Sequence, residues 1–233
     1  MKTLDDLLNA IFDSSRPIFY AEFEAWARSS RRFRDFATRY HSKIRAKLRN
    51  APGEGGLLDL RAELEVAVLL LQDRQFALEY EKYAALKQRG PDFTVTFKTH
   101  TPFNVEVRRI RCAELGDDDA EARALKLVAV LCDKVGQMPP GIVNLLWLAA
   151  DCPLSEANVN DAMALLRQLA ERKVEDFFMR RGFKSATDFL RHYRHLSGIV
   201  VWQPGVHIVV PNALTRHKPP PEIVRALQRL ETG

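Results

Sequence analysis

Cysteine is scarce in this chain: three in 233 residues, Cys112, Cys132 and Cys152, far apart and without a Cys-x-x-Cys pair. An odd, widely spaced set argues against a disulfide framework or a zinc site and fits a reducing compartment. Long apolar runs are also missing. The longest, 66–71 and 142–150, are much too short to span a bilayer. The opening Met-Lys-Thr-Leu-Asp-Asp carries no secretory pattern, so a cytoplasmic protein with no membrane partner is expected. No glycine-rich phosphate loop and no Gly-x-Ser-x-Gly elbow occurs, which argues against ATP-driven chemistry and serine hydrolysis. Neither an internal repeat nor a low-complexity tract is evident.

What the chain does have is an uneven distribution of charge. The net charge is +5, yet between Arg28 and Arg49 nine Lys or Arg residues face one acid, Asp35, a local +8 that leaves the remainder at −3. A basic stripe confined to one segment is either a phosphate-binding surface or a solvated helix face. On the first reading Arg31, Arg32, Arg34, Lys43, Arg45 and Lys47 meet the backbone of a nucleic acid. Phe19, Phe23, Trp26, Phe33, Phe36 and Tyr40 recur at three- and four-residue intervals through the same region, the spacing of a buried stripe rather than a base-stacking platform.

Hydrophobic periodicity predicts helices over 4–12, 18–48 (interrupted at Ser29-Ser30), 57–72 and 122–135, with Ala51-Pro52-Gly53-Glu54-Gly55-Gly56 as a linker or sharp turn. Strands are expected at 76–80, at 142–148 (almost uniformly apolar, hence buried and parallel to a neighbour) and as a pair at 199–202 and 206–210. Ser155 is placed to cap a helix running to about Glu171, and further short helices follow at 174–178, 186–196 and 222–230. The acidic run 114–121 reads as a loop and helix start. This order describes an α/β fold with a mixed central sheet flanked by helices. It divides into a basic N-terminal helical segment, 1–52, and an α/β domain, 53–233.

The segment 90–111 holds the most specific signal. Both halves alternate apolar and polar residues about a turn at Lys98-Thr99-His100, the pattern of a hairpin. A register centred near Thr99 pairs Phe93 with Val105 and Val95 with Phe103. It also sets Asp92 opposite Glu106, with Arg108 two residues further on the same side. Opposed carboxylates repel by ~1 kcal/mol in water and several-fold more when partly buried. A cation, a shared proton or a nearby arginine must compensate. As a surface feature, Arg108 pairing with Asp92 would be an ordinary ion pair.

Pro91-Asp92, thirteen residues, then Glu106-Val107-Arg108 resembles the signature of the PD-(D/E)XK nuclease superfamily, the restriction-endonuclease-like fold. A preceding helix with Glu63, and the helix and apolar strand that follow, fit the same pattern across 57–150. The resemblance implies that Asp92, Glu106 and the Val107 carbonyl bind magnesium or manganese. Glu63, or failing it Glu65, supports them, and the reaction is hydrolysis of phosphodiester bonds in DNA. Arg108 stands where the family has lysine. Guanidinium can hold phosphate but stays protonated and cannot act as a base. Lys134, three residues before Gln137, resembles lysines that line the active site in some branches, although its position also suits a solvated helix end. Arg109 and Arg111 are expected to contact phosphate. The alternative is a catalytically degenerate member that binds nucleic acid or a protein partner without cleavage; a homo-oligomer is open on either reading. His192 and His195, three apart, find no carboxylate or cysteine to complete a zinc set.

Overall fold

The computed structural model describes residues 3–86, 88–111, 120–203 and 206–230. Part of the acidic run and the Pro204-Gly205 turn lie outside them. Helices α1 (Leu4–Phe12), α2 (Tyr20–Ser29), α3 (Arg31–Asn50) and α4 (Gly53–Gln72) precede strand β1 (Phe76–Tyr80). A 3-10 turn (Tyr83–Leu86) leads to β2 (Phe93–Phe97) and β3 (Thr101–Ile110). Then come α5 (Ala120–Val135), β4 (Val143–Ala150), α6 (Glu156–Glu171), α7 (Glu175–Met179), α8 (Ala186–Tyr193), β5 (Gly198–Gln203), β6 (Val206–Pro211) and α9 (Pro221–Gln228).

The six strands form one mixed sheet in chain order. β1, β2 and β3 make an antiparallel meander, β4 lies parallel to both β3 and β5, and β6 returns antiparallel. The hairpin adopts the register expected from its alternation, Phe93 opposite Val105 and Val95 opposite Phe103. Lys98 and Thr99 turn it with φ of 49° and 69°. Two successive left-handed residues match the twist of the strands they join.

Helices cover both faces. On one, α1–α4 and α9 bury Phe23, Phe33, Leu64 and Leu70 against Phe93, Val95, Phe103, Val105 and Trp147. On the other, α5, α6 and α8 bury Leu131, Leu166 and Phe189 against Ile110, Leu146, Leu148 and Val201. β4 feeds side chains into both layers, which is why its sequence lacks alternation. The segment 1–50 therefore shares its core with α4 and the sheet. Ser30 caps α3 with its side chain on the Phe33 amide, which accounts for the break at Ser29-Ser30. The anticipated linker is shorter than 51–56, because α4 already begins at Gly53. That residue takes φ of +62°, a left-handed value that needs glycine, so the reversal is completed there.

The second face is apolar only from the end of β3 onward. Across β2, β3 and the start of β4 it carries Thr94, Asn104, Glu106 and Asn144, all buried. Thr94 donates to the Asn104 side chain (2.9 Å), Asn104 donates to Asn144 (2.9 Å) and to the Tyr83 hydroxyl (3.1 Å). Asn144 in turn donates to the carbonyls of Pro139, Ile142 and His195 at 2.8–3.1 Å. Replacing Asn144 with alanine strands those carbonyls and the Asn104 amide in a dry layer. We expect Asn144→Ala to cost about 3 kcal/mol of unfolding free energy, read as a lower urea midpoint at unchanged slope.

Candidate functional site

The polar patch ends at the open edge of the hairpin. Extending the Phe93–Val105 pairing by one residue brings Asp92 opposite Glu106, just before the first residue of β2. Asp92 is anchored there, because its Oδ2 accepts the Val107 amide at 2.9 Å. In an extended strand the N–H and C=O of one residue point to the same side, so the Val107 carbonyl faces this same edge.

Two further carboxylates converge. Glu63 arrives from α4, and its Oε2 accepts both the Tyr80 hydroxyl (2.7 Å) and the Lys47 ammonium (2.6 Å). Glu81, directly after β1, lies 3.1 Å from the same ammonium, and Asp92 Oδ1 lies 3.5 Å from it. On the far side Lys134, from the last turn of α5, meets Glu106 Oε1 at 2.5 Å. Glu63, Glu81, Asp92 and Glu106 are thus set against two ammonium groups.

Their proton affinities record the imbalance. Burial, then the charge of Asp92, pushes Glu106 up to about 7, with Lys134 and Lys47 opposing. Burial and Asp92 push Glu63 up to about 8, against the pull of Lys47 and Tyr80. Burial works to lower Lys47, but Glu63, Asp92 and Glu81 outweigh it and hold its ammonium more firmly charged than usual. Beside Asp92 opens a cleft of about 250 Å³ lined by Glu81, Gln88, Arg89, Gly90 and Gln137 among others. Gly90 has no room for a side chain, since a Cβ there would come within 2.4 Å of the Tyr83 ring.

Of the residues expected from the sequence, Asp92, Glu106, Glu63, Lys134 and the Val107 backbone come together. Arg108 follows two positions after Glu106 on the same face of β3 and is half-buried. Glu65 points elsewhere, to Arg61 at 3.1 Å. The basic stripe is dispersed over several environments. Arg32 donates to the carbonyls of Leu71 and Asp73 (2.6 and 2.7 Å) and to that of Phe76, and Lys43 donates to those of Tyr80 and Glu81. Lys47 joins the carboxylates. Arg109 sits between Asp59 and Asp151, Arg111 is 3.9 Å from Asp59, and Arg45 is 3.3 Å from Asp13. Arg31 is exposed and Arg34 half-buried. The parts of the cluster that sequence reasoning missed are Glu81, Tyr80 and the inward aim of Lys47. The i, i+4 pairing of Lys43 with Lys47 on the helix face toward β1 was the available signal.

The donor set is all oxygen, and among the described residues no group of three or more His, Cys, Asp or Glu side chains is arranged to hold a metal. Asp92 and Glu106 suit a hard divalent cation that keeps water and phosphate oxygens for its remaining positions. No helix among the described residues is long and apolar enough to cross a membrane. Family models, curated proteins and solved structures give no match to this chain.

The raised carboxylates carry a pH signature. Folded Glu106 and Glu63 keep protons up to about pH 7 and 8, whereas the unfolded chain releases them near 4.5. The native state therefore binds more protons in that window, and stability falls as pH rises through it. The melting temperature should decline from about pH 5 to about pH 8, and Glu63→Gln should flatten the decline.

Proposed function

We propose that this chain is a divalent-metal-dependent nuclease of the PD-(D/E)XK type, hydrolysing phosphodiester bonds in DNA. The observation that carries the reading is the Asp92–Glu106 pair, opposed at the open end of an antiparallel hairpin and joined by Glu63 and Glu81, so that four carboxylates share two lysines. The order α4, β1, β2, β3, α5, β4, with Glu63 on the first helix and Lys134 at the end of the second, supports the restriction-endonuclease-like arrangement.

Asp92, Glu106 and the Val107 carbonyl would hold magnesium or manganese, which when bound polarises the scissile phosphate and lowers the pKa of an attacking water. The chain's own residues do the rest. Glu63, fixed by Tyr80, supports the pair from the helix side. Lys134, beside Glu106, supplies a charge that can meet a phosphate oxygen, and Arg108 adds a fixed cation on the same face without serving as a base. The narrow cleft beside Asp92 is walled by Gln88 and Arg89 from the β1–β2 connection and Gln137 after α5. Arg31, Arg39 and Arg49 are the exposed members of the basic helix, able to steer a polyanion.

One observation favours the non-catalytic reading: a lysine already stands beside each of Asp92 and Glu106, and Arg108 replaces the motif lysine. On that reading DNA binds in a salt-dependent way and is left intact. Incubation of the purified protein with supercoiled DNA and Mn2+ separates the two. We expect nicking that falls at least 100-fold in Asp92→Ala and Glu106→Ala. DNA binding without cleavage, unchanged in both variants, would establish the second reading instead. Mn2+ should also raise the melting temperature, and more at pH 8 than at pH 6, because the ligands must be deprotonated.

A further inference from the structure

Lys47 is the most heavily engaged cation at the site, yet it lies outside the hairpin and helix elements that define the resemblance. It comes from the last turn of α3, in the helical segment that precedes α4, and reaches across to carboxylates sixteen to forty-five residues away. Its Nζ stands 2.6 Å from Glu63, 3.1 Å from Glu81 and 3.5 Å from Asp92, and 4.9 Å from the centre of the Tyr80 ring. Three carboxylates from three elements (α4, the end of β1 and the start of β2) thus converge on one ammonium whose side chain is only 26% exposed. Lys43, one turn earlier, is spent on the carbonyls of Tyr80 and Glu81 and holds α3 against the end of β1, so the reach of Lys47 is fixed by its neighbour.

Resting on the metal-dependent reading above, we propose that Lys47 is a positioning residue that acts as an internal counter-ion. It holds Glu63, Glu81 and Asp92 in place in the metal-free protein and competes with a divalent cation for Asp92. The argument is electrostatic. A lone acidic cluster of this kind would splay apart or take up still more protons, and an ammonium within hydrogen-bond reach opposes both. The same ammonium lies a few ångströms from any dication that Asp92 binds. Repulsion at that separation is worth on the order of tenfold in affinity even at the dielectric of water. Lys47 therefore raises the stability of the empty site and lowers its affinity for metal, so that the cluster does not hold a cation permanently. The N-terminal helices take part in the chemistry of the site through this side chain.

The two effects have opposite signs, and that separates this role from simple packing. Lys47→Met removes the charge and keeps the length. Thermal melts and calorimetric titration with MnCl2 on the full chain should show a lower metal-free melting temperature together with about tenfold tighter Mn2+ binding. Lys47→Arg, which keeps the charge, should leave Mn2+ affinity near that of the wild type. Unchanged or weaker binding in Lys47→Met, with the wild type still binding Mn2+, overturns the role of Lys47 and leaves the metal site standing. No response to Mn2+ in either protein overturns both. A second measurement needs no variant. In the wild type, acetylation of Lys47 by an amine-reactive ester, followed by mass spectrometry, should speed up several-fold when Mn2+ is added while Lys43 is unaffected. A Lys47 rate that stays constant or slows would equally reject the proposal.

Discussion

Four carboxylates gathered at the edge of a sheet repel one another, and most of what surrounds them in this protein is arranged so that they stay together. Asp92 is tied to the backbone of the opposite strand, Glu63 is held by a buried tyrosine and a lysine, and Glu106 by a second lysine. Each anchor comes from a different element, so the cluster exists only when α3, α4, the hairpin and α5 are all docked. Even then burial and the charge of Asp92 keep Glu63 and Glu106 well above ordinary carboxylates. That residual repulsion separates the cluster from an inert surface network and gives it a raised affinity for protons.

The sheet surface beneath the site is polar for the same reason. Thr94, Asn104 and Asn144 form a continuous hydrogen-bonded ladder on the face that carries Glu106, where the neighbouring strands offer leucine and valine. Buried amides of this kind are tolerated when fully satisfied, and they fix geometry more sharply than aliphatic packing does. Asn104 also reaches the Tyr83 hydroxyl, whose ring in turn packs on Gly90. The connection that walls the cleft is therefore referenced to the floor of the site through one side chain.

Much of this was legible in the sequence. The alternation of Phe93, Val95 and Phe97 against Phe103, Val105 and Val107 set the hairpin register, and the register alone put Asp92 across from Glu106. The apolar run of β4, broken only by Asn144, announced a strand covered on both faces. What period and composition could not reveal was the destination of long, flexible cations. Arg32, Lys43 and Lys47 sit in one basic helix and look interchangeable, yet one forks onto three carbonyls, one binds two, and one enters the carboxylate cluster. Those outcomes depend on where the end of α4 and the end of β1 fall in space, and no local pattern encodes that. Glu81 was hidden likewise, being one acid in a polar connection until the fold curled it back. The start of α4 was displaced by glycines that read as linker, although Gly53 uses its freedom to begin the helix.

The tether between Lys47 and Asp92 spans forty-five residues and runs from an early helix to a later hairpin. During synthesis the ammonium therefore leaves the ribosome well before any of its acidic partners, with the rest of the arginine- and lysine-rich helix beside it. For that interval the segment carries its positive charge without the partners it has in the folded chain. Closing the meander supplies carbonyls and carboxylates to Arg32, Lys43 and Lys47, so docking of these helices onto the sheet takes the inward cations out of solvent and leaves Arg31, Arg39 and Arg49 exposed.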